Sequence, residues 1–186
     1  MKKAITLILL CVITVSAFTG CVFKSLERKY INMSVSELEK LDDGELFDAL
    51  LYRTDAKVDK YDSVKEGMKT LSYAELVFYV VSYYEIELQN GGLCQYFVNS
   101  SKETAPKLAD CLEAIGATEQ KDLFVKFVTD NNIDLNDLSS FEINSIYEYE
   151  AQTKRYPFDD YDDAFYELEP VSVPLMKFVR EHISEF

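Results

Sequence analysis

The densest chemistry in this chain is acidic. Asp159, Asp160, Asp162 and Asp163 surround Tyr161, and Glu167 and Glu169 follow within the same short stretch. Carboxylates alone can act as acid and base when two of them flank a scissile bond at a defined separation. Nothing here singles out such a pair, so no catalytic residue is assigned. Two readings stay open for the six acids. One is a solvated surface, with acids favoured near a helix start. The other is a negative patch that docks a basic protein partner.

Other chemistries are poorly supplied. His182 is the single histidine, seven residues after Leu175 on the apolar side of the last predicted helix, where it reads as a core histidine. The chain has no CxxC for zinc, no GxSxG nucleophile elbow, and neither a GxxxxGK[ST] phosphate loop nor a GxGxxG turn. Asp130, Asn132, Asp134 and Asn136 imitate the first four ligand positions of an EF-hand. The sixth position, however, holds Leu135 instead of Gly, and the twelfth holds Phe141 with Glu142 one place late. This segment reads as a helix terminus rich in turn formers. No cofactor and no metal ion is expected.

A second candidate site is the stretch ELQNGGLCQYFVNSS from Glu87 to Ser101. Asn90, Gly91 and Gly92 tolerate left-handed backbone, which is how helices stop. Beyond them, Leu93 and Phe97 share one helical face, whereas Gln95 and Asn99 share the opposite flank with Tyr96 beside them. These groups would either tie down the bend and the Ser100–Ser101 turn or line a small-molecule pocket, in an enzyme or a binding protein. Cys94 lies within the stretch, and Cys111 lies in the apolar series Leu108, Cys111, Leu112, Ile115. The two thiols would either pair, as an oxidising compartment allows, or stay free as small buried hydrophobes.

The elements that must position these groups read as helices. Ser34 with Glu37, and Ser72 with Glu75, fit the capping box, in which Ser and Glu satisfy each other's orphan amides at a helix start. A long apolar helix is predicted from Ser72 to Gln89, with a short one from Leu93 to about Asn99. Pro106 sits near a helix start, and Gly116 follows Ile115 as a C-terminal glycine. Thr118 opens another helix with Leu123, Phe124, Phe127 and Val128 inward, and the tail from Val173 repeats the pattern. The β-branched clusters at Val77–Val81 and Ile143–Ile146 have helical spacing. The fold class is therefore all-α, one multi-helix domain over residues 30–186.

The front end sets the expected compartment. MKK, an apolar run from Ala4 to Phe18 and the junction Thr19-Gly20-Cys21 form a secretory signal, and the run is short for a bilayer span. Phe18-Thr19-Gly20-Cys21 resembles the bacterial lipoprotein signal, with Phe18 where Leu is usual. Residues 1–20 are expected to be a cleaved signal peptide, Cys21 the lipidation site and 21–29 a tether, on a membrane-anchored protein of the cell envelope facing away from the cytoplasm. An uncleaved N-terminal anchor is the alternative. The formal net charge is −14, with 48% of residues apolar, so the charge has not made the chain disordered. Direct nucleic-acid binding is disfavoured, because phosphate contacts need Lys and Arg.

Asn90-Gly91-Gly92-Leu93-Cys94-Gln95-Tyr96-Phe97-Val98-Asn99-Ser100, preceded by Glu87 and followed by Leu112-Glu113-Ala114-Ile115-Gly116-Ala117, resembles the bacterial DNA-mimic-protein family. Leu93 replaces the usual Phe and Lys102 the usual Gly. The resemblance covers roughly Ser72 to Asp130 and implies an all-helical domain. It also implies an acidic surface that occupies a DNA-binding protein, for which Asp159 to Glu169 is the candidate. That role needs a cytoplasmic chain, whereas the lipoprotein signal implies an envelope partner. The leading expectation is a lipid-anchored, non-enzymatic module that binds a protein partner.

Overall fold

The computed structural model describes residues 29–186; the signal segment, Cys21 and the tether up to residue 28 lie outside them. Every regular element among the described residues is helical. The chain divides into two compact units, one ending at Ala56 and the other spanning Lys57–Phe186.

The first unit holds α1 (Val35–Leu38) and most of α2 (Asp43–Val58). The Glu37 carboxylate accepts the Ser34 N–H at 2.7 Å, as the capping box requires. Leu38, Leu46, Ala49 and Leu50 are fully buried. Tyr30 stacks on Tyr52 at 5.7 Å, and Arg53 Nη1 donates to the Met33 carbonyl at 2.6 Å.

The second unit is built around one helix. After α3 (Val64–Met68), α4 runs Tyr73–Val98, followed by a 3-10 turn at Ser100–Thr104, α5 (Ala105–Ala114) and α6 (Thr118–Asp130). A 3-10 turn at Ser139–Phe141 leads to α7 (Ile146–Thr153), α8 (Phe158–Tyr166) and α9 (Ser172–Glu181). Helix α4 starts at a complete capping box: Glu75 N–H donates to Ser72 Oγ at 3.1 Å, and Ser72 N–H returns to Glu75 Oε2 at 3.0 Å. Its residues Val77–Ser82, Tyr84, Glu85, Glu87 and Leu88 are buried. A helix buried nearly all round must be wrapped by others, and α5, α7, α8 and α9 all pack against it.

Aromatic rings fill the space between them. Tyr84 meets the edges of Tyr96, Phe124 and Phe165 at 5.5–6.2 Å, and Phe97 stacks on Phe141 at 4.7 Å. Tyr84, Phe97, Phe124 and Phe141 are each at most 1% exposed, so truncating any one to Ala would cost about 3–5 kcal/mol. Pro106 sits in the first turn of α5, and Gly116 takes φ 79° beyond its end. His182 ends α9, its ring stacked on Phe178 at 4.1 Å. Its Nδ1 lies 2.9 Å from the Phe178 carbonyl oxygen, which can only accept, so Nδ1 carries the proton. The spacing of Ile143–Ile146 translates only in part: Ile143 lies in a loop, and Ile146 opens α7 with 78% of its surface exposed.

Candidate interaction surface beside the broken helix

Helix α4 breaks where the glycines stand. Gly91 has φ −168°, ψ 22° and Gly92 has φ 74°, ψ −174°. The Gly92 conformation is one that residues with a Cβ essentially never adopt. A Cβ there would also lie 1.9 Å from Asp162 Oδ2. Restarting a helix leaves amide donors without intrahelical acceptors. One of them, Leu93 N–H, donates to Asp162 Oδ1 at 2.8 Å, across 69 residues of chain.

The other side of the break is tied by Glu87, which is 8% exposed. Its Oε2 accepts from Gln95 Nε2 and from Asn99 Nδ2, each at 2.8 Å, while its Oε1 accepts from Ser101 Oγ at 2.8 Å. Three donors thus satisfy one buried carboxylate and lock the two half-helices and the following turn together. Tyr96, fully buried, shares a 2.7 Å hydrogen bond with Thr104 Oγ1, which in turn donates to the Ser101 carbonyl. Asn90 and Gly91 are exposed.

The electrostatics follow from burial. Desolvation, followed by its neighbours Asp159 and Asp163, raises the Asp162 carboxyl above its ordinary value, and the Leu93 amide pulls it partly back. Desolvation, with Asp162 second, pushes the Cys94 thiol up to about 11, and desolvation pushes Cys111 up to about 12. Both thiols are free and buried. At neutral pH neither supplies the thiolate that nucleophilic or metal chemistry needs.

Gln95 and Asn99 are therefore spent on Glu87, and the candidate groups part into two sets. Asp159, Asp160, Asp163, Glu167 and Glu169 are exposed, and none of these five carboxylates makes an ion pair among the described residues. Asp162 belongs with the break and not with that surface. Helical spacing explains the parting: Phe158, Tyr161 and Phe165 form the buried side of α8, and Asp162 lies on its edge. Sequence reasoning missed Glu87 as the centre of the knot, although it stood beside the motif. It also missed Gln120, whose Nε2 donates to the Glu169 carbonyl at 2.7 Å and ties the end of the acidic stretch to α6. Asp134 Oδ1 accepts the Asn136 N–H at 2.9 Å, a local turn within the EF-hand-like stretch. No group of three or more His, Cys, Asp or Glu among the described residues could hold a metal ion. No described helix is long and apolar enough to cross a membrane.

A family model described as DMP19-like protein matches residues 69–182. The chain belongs to the DMP19-like protein family. The matched segment contains the break, its Glu87 and Asp162 ties and all of α8, and it falls inside the second unit. No curated protein and no solved structure matches the chain.

Proposed function

We propose that this DMP19-like protein is a non-enzymatic, protein-binding module that offers the exposed acids of α8 to a basic surface of its partner. The observation that carries the reading is the set of five exposed carboxylates that make no ion pair among the described residues. Like charges crowded on one face repel one another and lower stability. Partner Lys or Arg groups would relieve that repulsion and steer the encounter. Asp159, Asp163 and Glu167 recur every four residues, so they form a negative row with steps of about 6 Å along the helix.

Lipid on Cys21 would hold the module on a membrane outside the cytoplasm, and the partner would then be an envelope protein. Family membership favours a second reading, in which the chain stays in the cytoplasm and the acidic row occupies a DNA-binding protein in place of DNA.

One experiment addresses both. The full chain and its Asp159→Lys/Asp160→Lys/Asp163→Lys variant are expressed in cells, crosslinked and captured, with and without Cys21→Ala. Loss of a basic partner in the charge-reversed chain, at unchanged melting temperature, is the expected result. A partner retained in full despite reversal would overturn the acidic-face reading. Membrane association and lipid labelling that vanish with Cys21→Ala would select the envelope reading. A native chain that is unlabelled and soluble would select the DNA-mimic reading.

A further inference from the structure

The second unit also carries a cleft that shares no residue with α8. Its volume is about 760 Å³, within the range of roughly 300–1,000 Å³ typical of small-molecule sites. It opens where α3, the 3-10 turn Ser100–Thr104 and the start of α5 meet the loop between α6 and α7. Met68, Leu71, Leu76, Leu135 and Leu138 supply its apolar lining.

Four lysines line the same cleft: Lys65, Lys69, Lys102 and Lys107. Such a grouping runs against the composition, which has a formal net charge of −14. Lys69 is paired with Glu66 at 2.6 Å. Lys65, Lys102 and Lys107 make no ion pair among the described residues. Of the three carboxylates at the cleft, two are engaged by backbone amides. Glu103 Oε2 accepts the Lys65 N–H at 2.7 Å, and Asp137 Oδ1 accepts the Ser139 N–H at 3.2 Å. The third, Glu142, is exposed.

We infer that this cleft binds an amphiphilic organic anion, its carboxylate or phosphate head met by the Lys65, Lys102 and Lys107 ammonium groups and its apolar body laid against Leu76 and Leu138. Each half of the cleft explains why the other is needed. An ammonium–carboxylate pair in water is weak by itself, and the leucines supply burial that strengthens in proportion to the apolar area removed from water. A purely apolar ligand would leave the three ammonium groups as they were. A bare anion would leave the leucines wet.

The test is calorimetric titration of the full chain with four probes: octanoate, octyl phosphate, octanol and inorganic phosphate. Saturable binding of octanoate or octyl phosphate is expected, with octanol and inorganic phosphate at least about tenfold weaker, and the tighter of the two anions names the head group. Changing Lys102→Gln with Lys107→Gln should weaken the better anion about tenfold while leaving the octanol signal and the melting temperature in place. Leu138→Ser, on a half-buried loop residue, should weaken both amphiphiles with little effect on inorganic phosphate. No saturable binding of either amphiphilic anion overturns the inference. So does an affinity indifferent to the lysine substitutions, or inorganic phosphate binding as tightly as the better of the two amphiphilic anions.

Discussion

Glu87 and the acids of α8 are the same chemistry in opposite surroundings. Glu87 is buried and each of its oxygens is occupied, one by two amide groups and the other by a hydroxyl. Asp159, Asp160 and Asp163 are exposed and have no ion pair among the described residues. A buried charge persists only where donors replace its water, so Glu87 is committed to holding the broken helix together. An exposed carboxylate keeps its water and stays available to a partner. The comparison teaches that in so acidic a chain the count of acids says little, and that burial separates the structural ones from those that can recognise something.

The largest expected effect strikes the buried side of that contrast. Glu87→Ala leaves the Ser101 hydroxyl buried with only a long contact to the Tyr96 carbonyl at 3.3 Å, and it frees Gln95 and Asn99. Unsatisfied buried groups cost about 1–3 kcal/mol each, so a loss of about 3 kcal/mol is expected. At roughly 2–4 °C per kcal/mol for a chain of this size, thermal melting followed by circular dichroism should show it plainly. Glu87→Gln, which keeps one acceptor, should lie between the parent and Glu87→Ala. If Glu87→Ala melted with the parent, the contrast would collapse.

Gly92→Ala comes next. A Cβ at φ 74° is strained and meets Asp162 Oδ2 at 1.9 Å, so a cost of about 2–3 kcal/mol is expected from the backbone term and the clash together. Pairing it with Asp162→Ala in a double-mutant cycle should recover the clash but not the backbone strain. Full additivity would mean that Asp162 does not crowd the break.

Asp162 sharpens the comparison because it stands between the two classes. Its carboxyl titrates above the ordinary 3.8 in the folded protein, so over that interval the native state binds more protons than the unfolded chain. Stability therefore falls as pH rises through it. Measured against the parent, Asp162→Asn should gain stability from below pH 3.8 toward neutral. Taking the difference between the two proteins cancels Glu85, whose buried carboxyl is also raised. A difference that stays flat with pH would place Asp162 with the exposed acids.

The smallest stability effect belongs to the exposed row itself. Asp159→Asn/Asp160→Asn/Asp163→Asn should leave the free energy of unfolding within about 0.5 kcal/mol per site, as surface changes usually do. Any shift should shrink with added salt, because salt screens both the mutual repulsion of the row and the favourable placement of Asp159 and Asp160 in the first turn of α8. A large loss would show that the row is structural.

Local rules reached far into this fold. The two capping boxes, the Pro106 start, the Gly116 stop and the glycine break each depend on neighbours a few residues away, and each stands where the sequence placed it. The candidate site was less legible. Gln95 and Asn99 were correctly put on one flank, yet their common acceptor was not, because the dihedral angles at Gly91 and Gly92 decide where Glu87 points relative to the second half-helix. Asp162 reads with its acidic neighbours in the run, and only the helical spacing of Phe158, Tyr161 and Phe165 sets it beside the buried side of α8. Nor did the lysines of the cleft form any run: they come from α3, a 3-10 turn and α5, and only packing assembles them.

By itself, then, the sequence determined that the fold is helical, where several of its helices begin, and that one helix must break at Asn90-Gly91-Gly92. These are outcomes of backbone propensity and short-range hydrogen bonding, and such terms are written residue by residue. Tertiary structure alone decided which carboxylates are buried, which amides meet Glu87, and which lysines face the same leucines. Those outcomes depend on desolvation and on contacts between distant segments, such as Leu93 and Asp162, 69 residues apart, and both exist only once the helices have packed.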